Sequence, residues 1–210
     1  MTVANSMMAR RAFLAAGLAL SGLCALPAQA GTPAEDFVAS NIQKGLAVLN
    51  DAQLTAEQRG QQFEQILLGL TNMKRIALFT LGQYARTASD ADKADFAAAF
   101  QDYAVAVYRS YLGNYAGQSL KVVGSTARGP DDFIVDTVMV DPRNGNAQSP
   151  LHVNFRVRTD SGKPELTDFS VAGVWIALSQ RDQFVAFLAQ NKGDVKTLSA
   201  HLRQTASQYR

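Results

Sequence analysis

The segment SDADKADFAAAFQDYAVAVYRSYLGNYAGQSLKVVGST, residues 89–126, contains the change of periodicity that decides the fold class. Its first part has the i, i+4, i+7 spacing of a long helix, with an apolar stripe at Phe96, Phe100, Tyr103, Val107 and Tyr111. Ser89 or Asp90 can cap that helix. From Ser119 onward the residues are β-branched and apolar, which predicts a strand over Leu120–Thr126.

The long helix has a second apolar face beside the first, formed by Val105, Tyr108, Leu112 and Tyr115. A helix that covers one sheet needs a single apolar stripe. The broad arc therefore predicts a second surface that this helix buries or a cavity that it lines.

Helix-start signals precede this segment. Thr32 to Glu35 form a capping box with Pro33 at the first helical position, and Thr55 with Gln58 repeats the signal. Asn72 can cap a third helix that we expect over residues 73–85. The second helix has an apolar side at Phe63, Ile66, Leu67 and Leu70.

Strand patterns follow the long helix. Further strands are predicted over Phe133–Val140, Leu151–Val157 and Glu165–Val174, and helical spacing returns over residues 178–189 and 194–202. The predicted class is α+β, with helices on one face of a twisted four-stranded antiparallel sheet. We expect the helices and the sheet to form a cone that resembles the nuclear-transport-factor fold and encloses an apolar cavity.

The N-terminus has the three parts of a secretory signal. Arg10 and Arg11 supply charge, an apolar stretch runs over residues 12–26, and residues 28–30 match an A-x-A cleavage site. The stretch has 15 residues, whereas a spanning helix needs about 20. We predict that residues 1–30 are cleaved and that residues 31–210 form one exported domain. The paired arginines fit both the general and the twin-arginine routes.

Charge and cysteine content exclude several classes of protein. Residues 1–30 hold two of the 20 basic residues and none of the 18 acidic ones, so the remainder is formally neutral. A neutral chain is a poor nucleic-acid binder, because phosphate neutralisation supplies most of that affinity. The one cysteine, Cys24, lies in the signal, so the exported domain has no thiolate for a disulfide or a metal.

Catalytic motifs do not emerge from the sequence. It has no G-x-S-x-G elbow, P-loop, G-x-G-x-x-G or H-E-x-x-H, and His152 and His201 are best read as solvated. We predict no catalytic residue, metal ligand or cofactor. The alternative is a hydrolase or isomerase whose cone buries an acid, for which Asp136 or Asp168 is the candidate.

Three further segments are informative in succession. They are Phe79–Arg86 (FTLGQYAR), Tyr108–Gln118 (YRSYLGNYAGQ), and a closing series of Asp168, Val171, Gly173–Trp175 and Arg181–Phe184. Their order resembles the MlaC-type periplasmic phospholipid-binding proteins, also called the toluene-tolerance family, over residues 33–202. The chain departs from that pattern at Asn72, where an aspartate is expected, and at Ala85, where a second aromatic residue is common.

The resemblance implies a periplasmic carrier that holds a phospholipid by its acyl tails and does no chemistry on it. It implies two partners, an inner-membrane ABC transporter with a lipid-binding ring and an outer-membrane lipoprotein complex, and we expect the carrier to be a monomer. Two alternatives stay open: a carrier of another apolar ligand such as a hopanoid, and a non-catalytic envelope adaptor.

A carrier needs an apolar lining, which we expect where the long helix faces the dry side of the strands. The predicted lipid-binding residues are Ile76, Phe79, Phe100, Tyr103, Val107 and Tyr111 on the helices, and Val135, Val153, Phe155, Val157, Val174 and Trp175 on and beside the strands.

Overall fold

The computed structural model describes residues 31–112, 115–143 and 150–209. The predicted signal, residues 1–30, lies outside these ranges.

The helices of the described residues are α1 (Pro33–Leu49), α2 (Ala56–Leu70), α3 (Met73–Thr80), α4 (Asp90–Leu112), α5 (Ile176–Gln190) and α6 (Val195–Ser207). The first three begin where the capping signals place them. The side chains of Thr32 and Thr55 accept the N–H groups of Glu35 and Gln58, and Asn72 accepts that of Arg75. These contacts confirm the three predicted caps.

The third helix is shorter than predicted. It ends at Thr80 and is followed by a 3-10 helix over Gly82–Arg86. Gly82 has a φ of +56°, a left-handed conformation that glycine adopts without steric cost and that interrupts a right-handed helix. The predicted continuous helix over residues 73–85 is therefore wrong.

The sheet is an antiparallel meander in which each strand pairs with the next along the chain. Its strands are β1 (Ser119–Gly129), β2 (Asp132–Val140), β3 (His152–Arg158), β4 (Glu165–Val171) and β5 (Val174–Trp175). The described sheet thus has five strands, and the prediction of four was wrong. The segment predicted as one strand reverses at Ala172 and Gly173, whose φ values of 50° and 83° form a tight turn.

The apolar interior is divided into two clusters. The larger one joins α3, α4, α5 and α6; its largest side chains are Leu81, Phe96, Phe100, Phe184, Leu188, Leu198 and Leu202. The smaller one joins α1 to the sheet through Ala34, Val38, Val135 and Val157. Most of the buried side chains therefore lie away from α2.

Within residues 31–112, 115–143 and 150–209, no helix is both long and apolar enough to cross a membrane.

Candidate functional site: an apolar seam beside α2

The helix α2 lies along α4 with its apolar side turned inward. Phe63 and Leu67 on α2 face Val105, Tyr108 and Leu112 on α4, and together they line a seam. All of α2 is described, and none of its residues is fully buried. An amphipathic helix whose apolar side is only half covered has surface available for another apolar group.

The seam is closed in this structure. The space inside it is about 10 Å³, which holds roughly one water molecule. An acyl chain can enter only if α2 moves away from α4.

An ion-pair cluster spans the seam. Arg109 on α4 has its Nη2 atom 2.8 Å from Glu64 Oε2 and its Nη1 atom 3.5 Å from Glu57 Oε1, both on α2. These side chains are between 28% and 67% exposed. Exposed ion pairs contribute at most about 1 kcal/mol, so this contact orients α2 without locking it.

Three aromatic side chains connect the seam to the sheet. The ring of Tyr108 lies 6.0 Å from that of Phe169 on β4, which stacks at 6.5 Å on Phe155 of β3. Tyr108 packs against the helical cluster and Phe155 against the α1–sheet cluster. Burial raises the pKa of the Tyr108 hydroxyl, with smaller contributions from Asp168, Tyr103 and Tyr111, so this group stays neutral. The row is an apolar bridge between the two clusters.

The structure divides the predicted lipid-binding residues among several environments. Phe100 belongs to the helical cluster, and Ile76 and Tyr103 pack against it. Val135, Val157 and Phe155 belong to or contact the α1–sheet cluster. Val153 is buried, and Val107 and Trp175 are half-buried.

Three of the predicted residues are exposed. Phe79 is 40% exposed, Val174 57% and Tyr111 69%, and the Phe79 ring is covered by the guanidinium of Arg181 at 5.4 Å. The described residues therefore show no single enclosed cavity that holds the whole predicted set.

The two apolar faces of α4 have different partners. Phe96 and Phe100 pack edge to face with Phe184 of α5. The second face, at Val105, Tyr108 and Leu112, meets α2. The sequence showed this second face and the apolar side of α2, but periodicity does not say that the two face each other.

Asp168 and Asp136, the two candidate acids of the enzyme alternative, lie at positions where they take part in the fold itself. Asp168 Oδ1 accepts the N–H groups of Ala177 and Phe169, each at 2.8 Å. It thereby caps α5, whose N-cap residue, Trp175, has no acceptor atom in its side chain. Burial raises the pKa of Asp168, and these N–H groups oppose the shift. Asp136 pairs with Gly124 and Asn154 within the sheet.

Across the described ranges, no group of three or more His, Cys, Asp or Glu side chains is placed to hold a metal ion.

Comparison with known proteins identifies the family. The model of the MlaC family, described as MlaC protein, matches residues 39–204. The chain belongs to the MlaC family. This confirms the resemblance found in the sequence and favours a binding or transport protein over an enzyme.

A solved structure shows the same fold. It is a phospholipid-binding protein from Ralstonia solanacearum in complex with a phospholipid, with a TM-score of 0.70 and 19% sequence identity. The match covers 84% of this chain and 98% of that one. The α+β arrangement described above is thus an MlaC-type fold.

Proposed function

We propose that this MlaC-family protein is a periplasmic carrier that holds a phospholipid by its acyl tails and shuttles it between the two membranes of the envelope. The observation that carries the proposal is the seam: an apolar α2 face, half covered, beside a second apolar face of α4. Family membership and the phospholipid in the Ralstonia protein support the choice of cargo.

The energetics require burial of the tails. Two acyl chains hold about 30 methylenes at roughly 0.8 kcal/mol each, so an unshielded lipid costs on the order of 20 kcal/mol in water. The closed seam holds none of this volume. We propose that α2 swings away from α4 and that the tails then occupy the space between α2 and the row of Tyr108, Phe169 and Phe155.

The weak docking of α2 supports this movement. Its apolar residues are half-buried, and its ion pairs with Arg109 are exposed. Tail contacts can therefore replace the contacts with α4 at small cost. We propose that three half-buried residues of the predicted lining form the deeper wall of the lipid site: Tyr103, Val107 and Phe155.

The route and the partners belong to the same proposal. Residues 1–30 direct export and are removed after Ala30. The carrier then exchanges lipid, as a monomer, with an outer-membrane lipoprotein complex and an inner-membrane ABC transporter that has a lipid-binding ring.

The direct test is extraction of the exported protein after purification without detergent. Mass spectrometry of the organic extract should show about one phospholipid per chain. A hopanoid in its place would support the rival cargo. The carrier function is excluded if the extract holds no lipid and the protein takes up none from labelled vesicles.

A further inference from the structure

Arg109 is the one cationic side chain among the described residues that line the seam. On α4 it follows Val105 by four residues and precedes Leu112 by three, so the three side chains share one face of the helix. Phe63 and Leu67 of α2 line the opposite side. The guanidinium therefore projects from the same apolar face that the acyl tails contact in the proposed carrier.

Both acid partners of Arg109 belong to the helix that must move. Its Nε and Nη2 atoms lie 3.1 Å and 2.8 Å from Glu64 Oε2, and its Nη1 atom lies 3.5 Å from Glu57 Oε1. On α4 itself, the nearest acid along the chain is Asp102, about two helical turns away. A separation of α2 from α4 thus removes the counter-ions that Arg109 has in this structure and leaves its charge beside the opened seam.

The C-terminal end of α2 is attached to the sheet. Thr71 has an extended backbone and pairs with Leu166 of β4 in an isolated parallel bridge. Met73, two residues further on, is buried in the helical cluster. The loop before α2 is held by an exposed hydrogen bond, from the Tyr115 hydroxyl to Asn50 Oδ1 at 3.1 Å. We therefore expect α2 to turn about its C-terminal end, so that the seam widens most beside the guanidinium.

A lipid phosphodiester supplies what the separated guanidinium lacks. Its oxygens share one negative charge, and arginine presents N–H groups in a planar fork that binds carboxylate and phosphate groups alike. The edge formed by Nε and Nη2, which faces Glu64 in the closed seam, can take the phosphate in its place. The acyl chains then extend from Arg109 along Val105 and Tyr108, away from the open end.

From this arrangement we propose that Arg109 is the phosphate-binding residue of the lipid site. In the empty protein it pairs with Glu64 and Glu57 across the closed seam, and in the loaded protein it exchanges these carboxylates for the phosphodiester of the lipid. This inference rests on the proposed carrier function. It adds the residue that distinguishes a phospholipid from an apolar molecule without phosphate.

The two members of the ion pair should have opposite effects on lipid affinity. Glu64→Gln removes the competitor for the guanidinium and weakens the closed form, so it should bind phosphatidylglycerol roughly 2–5-fold more tightly. Arg109→Met also weakens the closed form but loses the phosphate contact, so it should bind that lipid about fivefold less tightly. If Arg109 only held α2 closed, both variants would bind the lipid more tightly.

The experiment titrates the delipidated exported protein with phosphatidylglycerol or with diacylglycerol of the same acyl chains. Both lipids are delivered from methyl-β-cyclodextrin, which shields the tails and supplies no phosphate. Each variant is compared with the native protein for the same lipid, which cancels the difference in how strongly the cyclodextrin holds the two lipids. Arg109→Met should weaken the binding of phosphatidylglycerol and should not weaken that of diacylglycerol.

Matched controls are Arg203→Met and Asp95→Asn, which remove either member of an exposed ion pair between α6 and α4. Both should bind each lipid as the native protein does, and thermal unfolding checks that all four variants are folded. An affinity for phosphatidylglycerol that is unchanged or higher in Arg109→Met, or lower in Glu64→Gln, overturns the phosphate role and leaves the carrier function intact. A native protein that binds neither lipid contradicts the carrier function itself.

Discussion

Arg109 on α4 donates a hydrogen bond from its Nε atom to Glu64 Oε2 on α2 at 3.1 Å, and its Nη2 atom lies 2.8 Å from the same oxygen. The pair crosses the closed seam. Any separation of α2 from α4 must break it, together with the longer ion pair between Arg109 and Glu57.

Replacing Arg109 should speed lipid exchange. Arg109→Met keeps the apolar stem and removes the ion pairs, which contribute about 0.5–1 kcal/mol at an exposed site. Exchange of a fluorescent lipid with vesicles should become roughly 2–5-fold faster. Arg203→Met is the control, because it removes an exposed pair between α6 and Asp95, which lies about four turns from Arg109 along α4. Equal acceleration by both variants would show that the seam does not gate exchange.

Shortening Phe63 should weaken lipid retention more than stability. The ring is half-buried on α2 and lines the seam. Phe63→Ala removes about 1.5 kcal/mol of apolar contact with a tail, so retention should fall roughly tenfold. Phe187→Ala, another half-buried phenylalanine that stacks on His201 instead, should leave retention unchanged. Lipid titration after delipidation measures both.

Phe100 should respond differently from Phe63. It is 6% exposed and packs against Phe96 and Phe184. Phe100→Ala therefore creates a cavity in the helical cluster and should cost about 3–5 kcal/mol of unfolding free energy in urea. A folded variant of native stability that has lost its lipid would instead place Phe100 in the lipid-binding wall.

Removing the cap at Asp168 should destabilise α5. Asp168→Ala leaves the N–H groups of Ala177 and Phe169 without their acceptor, at a cost of about 1–3 kcal/mol. Asp168→Asn keeps an acceptor oxygen and should retain most of the stability. If both variants have the same urea unfolding midpoint as the native protein, the cap does not contribute to stability.

Acid should destabilise the protein through Asp132. The hydrogen bonds from Arg156, and then its charge and that of Arg158, hold the pKa of Asp132 below its ordinary value against the effect of burial. A carboxylate with a lowered folded-state pKa contributes stability above its unfolded pKa of about 3.9, and this is lost as the pH falls toward the folded value. Asp132→Asn should therefore flatten the decline in unfolding free energy between about pH 4 and pH 2. An unchanged decline would assign acid sensitivity to other carboxylates.

Local signals predicted the helix starts well, because each depends on a few adjacent residues. Thr32, Thr55 and Asn72 cap the helices that the sequence assigned to them. The fifth strand was missed for a related reason. Strand propensity continues through residues 165–174, and only the left-handed conformations of Ala172 and Gly173 reveal the reversal.

The site was less predictable than the fold. The sequence showed two apolar faces on α4 but not their partners, since periodicity reports that a face is buried and not what buries it. Phe100 stays a predicted lipid-binding residue, and periodicity did not indicate that it packs with Phe96 and Phe184. Phe63 was recognised only as part of an apolar helix side, and its place in the seam depends on contacts across 45 or so residues of chain, such as that of Glu64 with Arg109.

The absence of fully buried residues along α2 has a consequence for how this molecule can open and evolve. The buried residues that resist unfolding lie in the α3–α6 cluster and in the α1–sheet cluster. We therefore expect α2 to open as a local unit while the amides of the two clusters stay protected from hydrogen exchange. In the carrier that we propose, substitutions in α2 can change the rate of lipid loading with little effect on the melting temperature, so selection can adjust the two properties separately. An open α2 without lipid would expose its apolar side, and the closed seam keeps that side partly covered against aggregation.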